Sequence, residues 1–163
     1  MNIILKNIKH VESLSEETFC FSASLYVDGK KAGTVANRGH GGSHEFSDWN
    51  VAIAINEFAK TLPTRTADLG NGKSWELEVD ADIIVSDLVS AFLIEKDLKR
   101  ALKSRILFTK KGTAGLFETN RLSQAMQERA RTNPKILGKI DPTCILNFMR
   151  FEDALKIYKT HSA

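Results

Sequence analysis

Arg38, His40 and His44 stand within seven residues of one another, interleaved with Gly39, Gly41 and Gly42. Glycines let backbone N–H groups converge on an anion, and an arginine beside them grips it through a forked donor. Two imidazoles with Glu45 and Asp48 close by supply the side-chain types that ligate zinc. The chemistry on offer is that of a small metal- or phosphate-handling enzyme. Spacing weakens both versions. No Gly-x-x-x-x-Gly-Lys-Ser/Thr occurs, nor a Gly-x-Gly-x-x-Gly between strand and helix. Gly41-Gly42-Ser43 also breaks the helix that would put His40 and His44 on one face. The plainer expectation for residues 37–44 is a flexible connector from strand to helix.

Other chemistry has less to stand on. Cys20, Cys144, four histidines and many serines offer no local nucleophile context. Glu76, Glu78, Asp80 and Asp82 alternate at a strand-to-helix junction, where a solvated strand face followed by a helix cap accounts for them better than a cation site. The residues therefore assign no catalytic group, no metal ligand and no cofactor.

Charge is the stronger signal. The net charge of +3 conceals opposed fields: residues 1–95 carry 8 Lys+Arg against 14 Asp+Glu, and residues 96–139 carry 12 against 3. Lys103, Arg105, Lys110, Lys111, Arg121 and Arg129 cluster around a predicted hairpin and form the expected contact set for a phosphate-bearing or acidic partner. Helix chemistry explains some of the surplus, since Glu95 and Lys99 are an i,i+4 pair and Lys99, Arg100 and Lys103 suit a helix C-terminus. Phe108 and Phe117 fit core packing better than base stacking. A host protein or nucleoprotein is the expected partner, with nucleic acid as a further candidate, and the opposed fields also permit self-association.

The elements that must position these groups follow from hydrophobic period. Phe19, Phe21, Ala23, Leu25 and Val27 alternate with polar residues, Asp28-Gly29 supplies a tight turn, and Lys30 to Asn37 returns, with Asn2 to Lys9 as a further strand. Val51, Ala54, Ile55, Phe58 and Leu62 form a helical stripe capped by Ser47 or Asp48 and stopped by Pro63. Gly70-Asn71-Gly72 marks a turn before the short strand of Trp75, Leu77 and Val79. A long helix then runs from a cap at Asp80 or Asp82 to about Lys103, its apolar positions including Ala81, Ile84, Val85, Leu88 and Leu98. A second hairpin spans Arg105 to Thr119 around a turn at 110–115, and Asn120 caps a helix whose narrow stripe is Leu122, Ala125 and Met126. A less regular segment covers Lys135 to Ile140, Ile145-Leu146 makes a brief strand, and Phe151 to Lys159 a closing helix. The sum is one α+β domain, mainly antiparallel sheet built from two hairpins, packed against three to four helices. Its parts are a hairpin region 1–46, helices and second hairpin 47–140, and a strand-helix unit 141–163.

At 163 residues and 42% hydrophobic, the chain can bury a core without disulfides or structural metal. Two cysteines among apolar neighbours, no leader pattern and no 18-residue apolar run lead to the expectation of a cytoplasmic protein without a membrane segment.

The run Tyr26-Val27-Asp28-Gly29-Lys30-Lys31-Ala32-Gly33-Thr34-Val35, leading into Arg38-Gly39-His40-Gly41-Gly42, resembles small α+β proteins encoded by bacteriophages and prophages. Arg105-Ile106-Leu107-Phe108-Thr109-Lys110, and Ile145-Leu146-Asn147 with Phe151-Glu152-Asp153-Ala154-Leu155, look similar too. The resemblance carries no catalytic residue. It implies a protein that works in an infected bacterium by binding a host component, inhibition of a defence system included.

Overall fold

The computed structural model describes residues 1–68, 70, 74–138 and 142–161. It is an α+β chain whose described strand pairings are all antiparallel, and it divides into two compact units, Met1–Ala91 and Phe92–Ala163.

The first unit is built on a four-stranded sheet in the order β1 (Ile3–His10), β2 (Phe21–Val27), β3 (Lys30–Asn37) and β4 (Glu45–Phe46). Period-2 alternation puts Phe21, Ala23 and Leu25 on the buried face. Asp28 and Gly29 both take positive φ, as the two-residue turn between Val27 and Lys30 requires. Phe19 lies before β2 rather than in it and packs edge-on against His10. Helix α1 (Trp49–Ala59) starts where the Asp48 carboxylate accepts the Asn50 N–H, and it ends before Pro63. Its buried stripe is Ala52, Ile55 and Ala59, of which Ile55 belongs to the expected line; Val51 and Phe58 are half-buried, and Ala54 and Leu62 are exposed. The helix buries Ile55 between two alanines, which leaves Trp49 and Ile53 outside.

A two-stranded hairpin follows, β5 (Arg65–Asp68) with β6 (Ser74–Leu77). The expected turn at Asn71-Gly72 lies outside the described residues. All four residues of β6 are exposed, so Trp75 and Leu77 do not face a core as the alternation implied, and burial begins at Val79. Asp80 then accepts the Ile83 N–H at 2.8 Å, and α2 (Ala81–Ser104) begins. Its positions up to Ala91 belong to the first unit, with Ala81, Val85 and Val89 buried.

The second unit holds the remainder of α2 and a three-stranded sheet in the order β8, β7, β9: β8 (Thr113–Glu118), β7 (Leu107–Lys110) and β9 (Pro142–Ile145). The hairpin turn is shorter than the sequence implied, because Lys110 already pairs with Thr113 and only Lys111-Gly112 remain between the strands. Helix α3 (Gln124–Thr132) is capped by Ser123, whose hydroxyl accepts the Met126 N–H, and not by Asn120. It buries Ala130 alone and leaves Met126 in solvent. The segment after it is a short 3-10 turn, Pro134–Leu137, and the rest of that expectation, Lys139 and Ile140, lies outside the described residues. Helix α4 (Phe151–His161) closes the chain. Two clusters make this core. Leu98, Leu107, Leu146 and Ala154 pack beneath α4, and Ile106, Phe108 and Ala130 pack beneath α3. Cys20 and Cys144 are both free thiols, and among the described residues no helix is long and apolar enough to cross a membrane.

Candidate functional site

The Gly/His loop is hydrogen-bonded to its neighbours and is not the free connector expected. The Gly39 carbonyl accepts N–H bonds from Glu16, Glu17 and Thr18 at 2.9–3.3 Å. Asn37, buried at 4% exposure, accepts through Oδ1 from the Thr18 hydroxyl (2.7 Å) and the Gly39 N–H (2.9 Å). Its Nδ2 donates to the Gly42 carbonyl and to His44 Nδ1, both at 3.1 Å. Three of the amide groups that would cradle an anion are therefore already spent: Gly39 N–H on Asn37, Gly41 N–H on Thr18, and His44 N–H on Asp82.

The three candidate side chains of this loop are directed to different partners. Arg38 pairs with Glu45 at 3.1 Å, His40 with Glu16 at 3.1 Å, and His44 packs edge-on against Phe21. Among the described residues no group of three or more His, Cys, Asp or Glu side chains is arranged to hold a metal ion. His44 Nε2 does lie 3.0 Å from the Ser86 hydroxyl, the distance of a nucleophile and its base. The tautomer runs the other way. Because Asn37 turns its NH₂ toward Nδ1, that nitrogen is the acceptor and Nε2 carries the proton, so His44 donates to Ser86 and cannot withdraw its proton. Burial lowers the His44 pKa from 6.5, against the opposing pull of Asp82 and Asp80, and keeps the ring neutral. The loop is a structural joint: His44 ties the end of β3 to α2.

The basic residues are placed differently. With the chain divided at its compact units, residues 1–91 carry 8 Lys+Arg against 13 Asp+Glu, a net −5, and residues 92–163 carry 15 against 7, a net +8. The second unit is thus a cationic body. Arg105 and Arg121 both line a polar cleft of about 410 Å³ at the C-terminal end of α2, with Arg100, Ser104, Tyr158 and the carboxylates Asp97 and Glu118. The Leu122 N–H donates to the Ser104 carbonyl at 2.7 Å, and this bond brings Arg121 to the helix end. Lys103 lines an adjoining hollow that shares Arg100. Lys110 and Lys111 sit at the other end of β7, a strand roughly 10 Å long at 3.3 Å per residue. Arg129 is exposed on α3.

Neighbouring acids engage some of these charges. Glu118 forms an ion pair with Arg105, raising the guanidinium pKa further, and Asp97 pairs with Arg100 at 2.9 Å. Among the described residues Lys103, Lys110, Lys111, Arg121 and Arg129 have no carboxylate partner within 4.0 Å. Lys110 instead rests its ammonium 4.3 Å from the centroid of the Phe117 ring, which stacks on Phe108 as part of the core. That contact holds the cation in place and leaves its charge uncancelled.

Neither a family model nor a curated protein nor a solved structure matches this chain.

Sequence reasoning missed two residues that shape this surface. Asn147 donates to the carbonyls of Leu102 (3.2 Å) and Arg105 (2.8 Å) and accepts the Leu107 N–H (2.9 Å). It satisfies carbonyls that the end of α2 leaves open and fixes where Arg105 emerges. Glu118 sets how much of the Arg105 charge is free. No local pattern marks either, since their partners lie 40–45 and 13 residues away.

Proposed function

We propose that the chain is a non-enzymatic, phage-type accessory protein whose basic second unit binds the phosphate backbone of nucleic acid or of a host nucleoprotein and acts by occlusion. The observation that carries this reading is the pair of cationic groups a strand-length apart on a unit of net charge +8: Arg121 with Lys103 at one end of β7, Lys110 and Lys111 at the other. A single phosphate occupies one such group. An extended polyanion engages both, because duplex DNA presents a negative charge about every 1.7 Å along its axis. The aromatic rings nearest these cations, Phe117 under Lys110 and Tyr158 in the cleft, are partly buried against the core clusters, which favours backbone contact over base reading.

The test is fluorescence anisotropy with a labelled 20-base-pair duplex and a polyglutamate of equal length, each at 50 and 200 mM salt. With about four phosphates neutralised, the fourfold rise in salt weakens duplex binding roughly 150-fold. Binding that ignores salt, or polyglutamate binding as tight as the duplex, overturns the nucleic-acid reading and leaves an acidic protein as the partner.

A further inference from the structure

The first unit carries a groove of opposite character. Along α1, Trp49 (70% exposed), Ile53 (45%) and Glu57 follow one another at intervals of four residues, so they share a face, with Lys60 close beyond them. The hollow they border, about 570 Å³, is walled on its far side by Glu78, Val79, Asp80 and Asp82. A second hollow of about 360 Å³ shares Lys60, Glu78 and Val79 with the first and continues it to Leu62 and Thr64. From Trp49 to Lys60 the helix advances about 16 Å, the reach of a five-residue extended segment.

The charges of the groove do not balance. Glu57 is paired with Lys60 at 2.7 Å. Asp80 and Asp82 each take a backbone N–H, from Ile83 and His44, and among the described residues neither they nor Glu78 meet a cation. An apolar strip whose opposite wall holds three carboxylates with no counter-charge among the described residues is complementary to a segment carrying both a large apolar side chain and basic ones.

We propose that this groove binds a basic amphipathic peptide segment of a partner protein, its apolar side chain lodged between Trp49 and Ile53 and its lysines or arginines facing Glu78, Asp80 and Asp82. The extent along α1 argues for a linear segment over a compact ligand, since two adjoining hollows share Lys60, Glu78 and Val79 in their lining. This inference concerns the first unit alone and stands apart from the nucleic-acid reading of the second.

The experiment is selection of a randomised twelve-residue peptide library against the whole chain, with Ile53→Glu and Glu78→Lys chains as counter-baits. Both positions are exposed, so the variants keep the fold, which circular dichroism checks. Enriched peptides are expected to place Lys or Arg within four positions of a large apolar residue and to bind each counter-bait at least tenfold more weakly. In a Trp75→Phe chain, where Trp49 is the sole indole, their binding shifts the emission to the blue. The proposal is overturned by enrichment of acidic peptides, by no enrichment above the counter-baits, or by binding that leaves Trp49 emission unmoved. A concentration-dependent dimer abolished by Ile53→Glu overturns it as well, by giving the groove to a second copy of the chain.

Discussion

The carboxamide of Asn37 points its NH₂ at Nδ1 of His44, 3.1 Å away, and so decides which nitrogen of the ring carries the proton. Its own orientation is settled by the Gly39 N–H and the Thr18 hydroxyl, which require an oxygen at the other position. Protonating His44 would place an N–H against an NH₂ in a half-buried site. The folded chain therefore binds that proton less readily than the unfolded chain, whose histidine titrates near 6.5. The contribution to stability is complete above about pH 6.5 and is lost as the pH falls below it, since acid then favours the state that takes up the proton. Denaturant midpoints between pH 7.5 and 5.5 should fall in the parent and in His40→Gln, whose ring is exposed on Glu16. The fall should be smaller in His44→Gln.

Gly39 is the residue this loop can least exchange. Its φ is +90°, and a Cβ placed there would lie 1.9 Å from the Leu14 carbonyl oxygen and 2.9 Å from Cys20 Cβ. Backbone cannot yield as a side-chain tip does, so Gly39→Ala should cost at least about 3 kcal/mol. Gly42 has a similar φ of +81° with nothing within 4 Å of a built Cβ, and Gly42→Ala should lose only about 1 kcal/mol of left-handed strain. Urea unfolding of the two variants separates close approach from backbone angle, and equal losses would falsify the packing argument.

Asn147 is a clamp on the basic end of α2. Replacing it by alanine leaves the Leu102 and Arg105 carbonyls and the Leu107 N–H without their partner in a part-buried place. Asn147→Ala should cost about 2 kcal/mol. Amide exchange is expected to rise at Leu107 in particular, whereas a uniform rise over the second unit would assign Asn147 to general packing instead.

What the chain reveals locally, it reveals well. β1 to β3 were legible because period-2 alternation and Asp28-Gly29 act within a few residues of one another. On α1 the periodicity places Ile55 in the core correctly but not Ala52 and Ala59, because large side chains dominate a periodicity argument whereas tertiary packing selected the two alanines. Nothing in Arg65-Thr66-Ala67-Asp68 alternates, so β5 gave no signal. The Gly/His loop was legible as irregular but not as bonded, since its anchor Thr18 is 19 residues from Asn37. The charge surplus could be counted directly, yet its division at residue 91 and the Glu118 partner of Arg105 belong to the fold.

The two cationic groups make separable predictions. If phosphates contact both ends of β7, each contact adds roughly 0.9 to the magnitude of the slope of log affinity against log salt. The double variant Lys110→Glu/Lys111→Glu should lower that magnitude by nearly two, and Arg121→Glu by about one, with both chains remaining folded because the substituted side chains are exposed. Glu118→Gln removes the carboxylate that holds Arg105 and adds no positive charge of its own. It should therefore tighten duplex binding at 50 mM salt and steepen the slope, as a newly released guanidinium engages phosphate. A Glu118→Gln chain that binds like the parent while Lys110→Glu weakens it would confine the interface to the hairpin turn. Loss of affinity with an unchanged slope would mean that these cations hold the shape of the surface and do not touch phosphate.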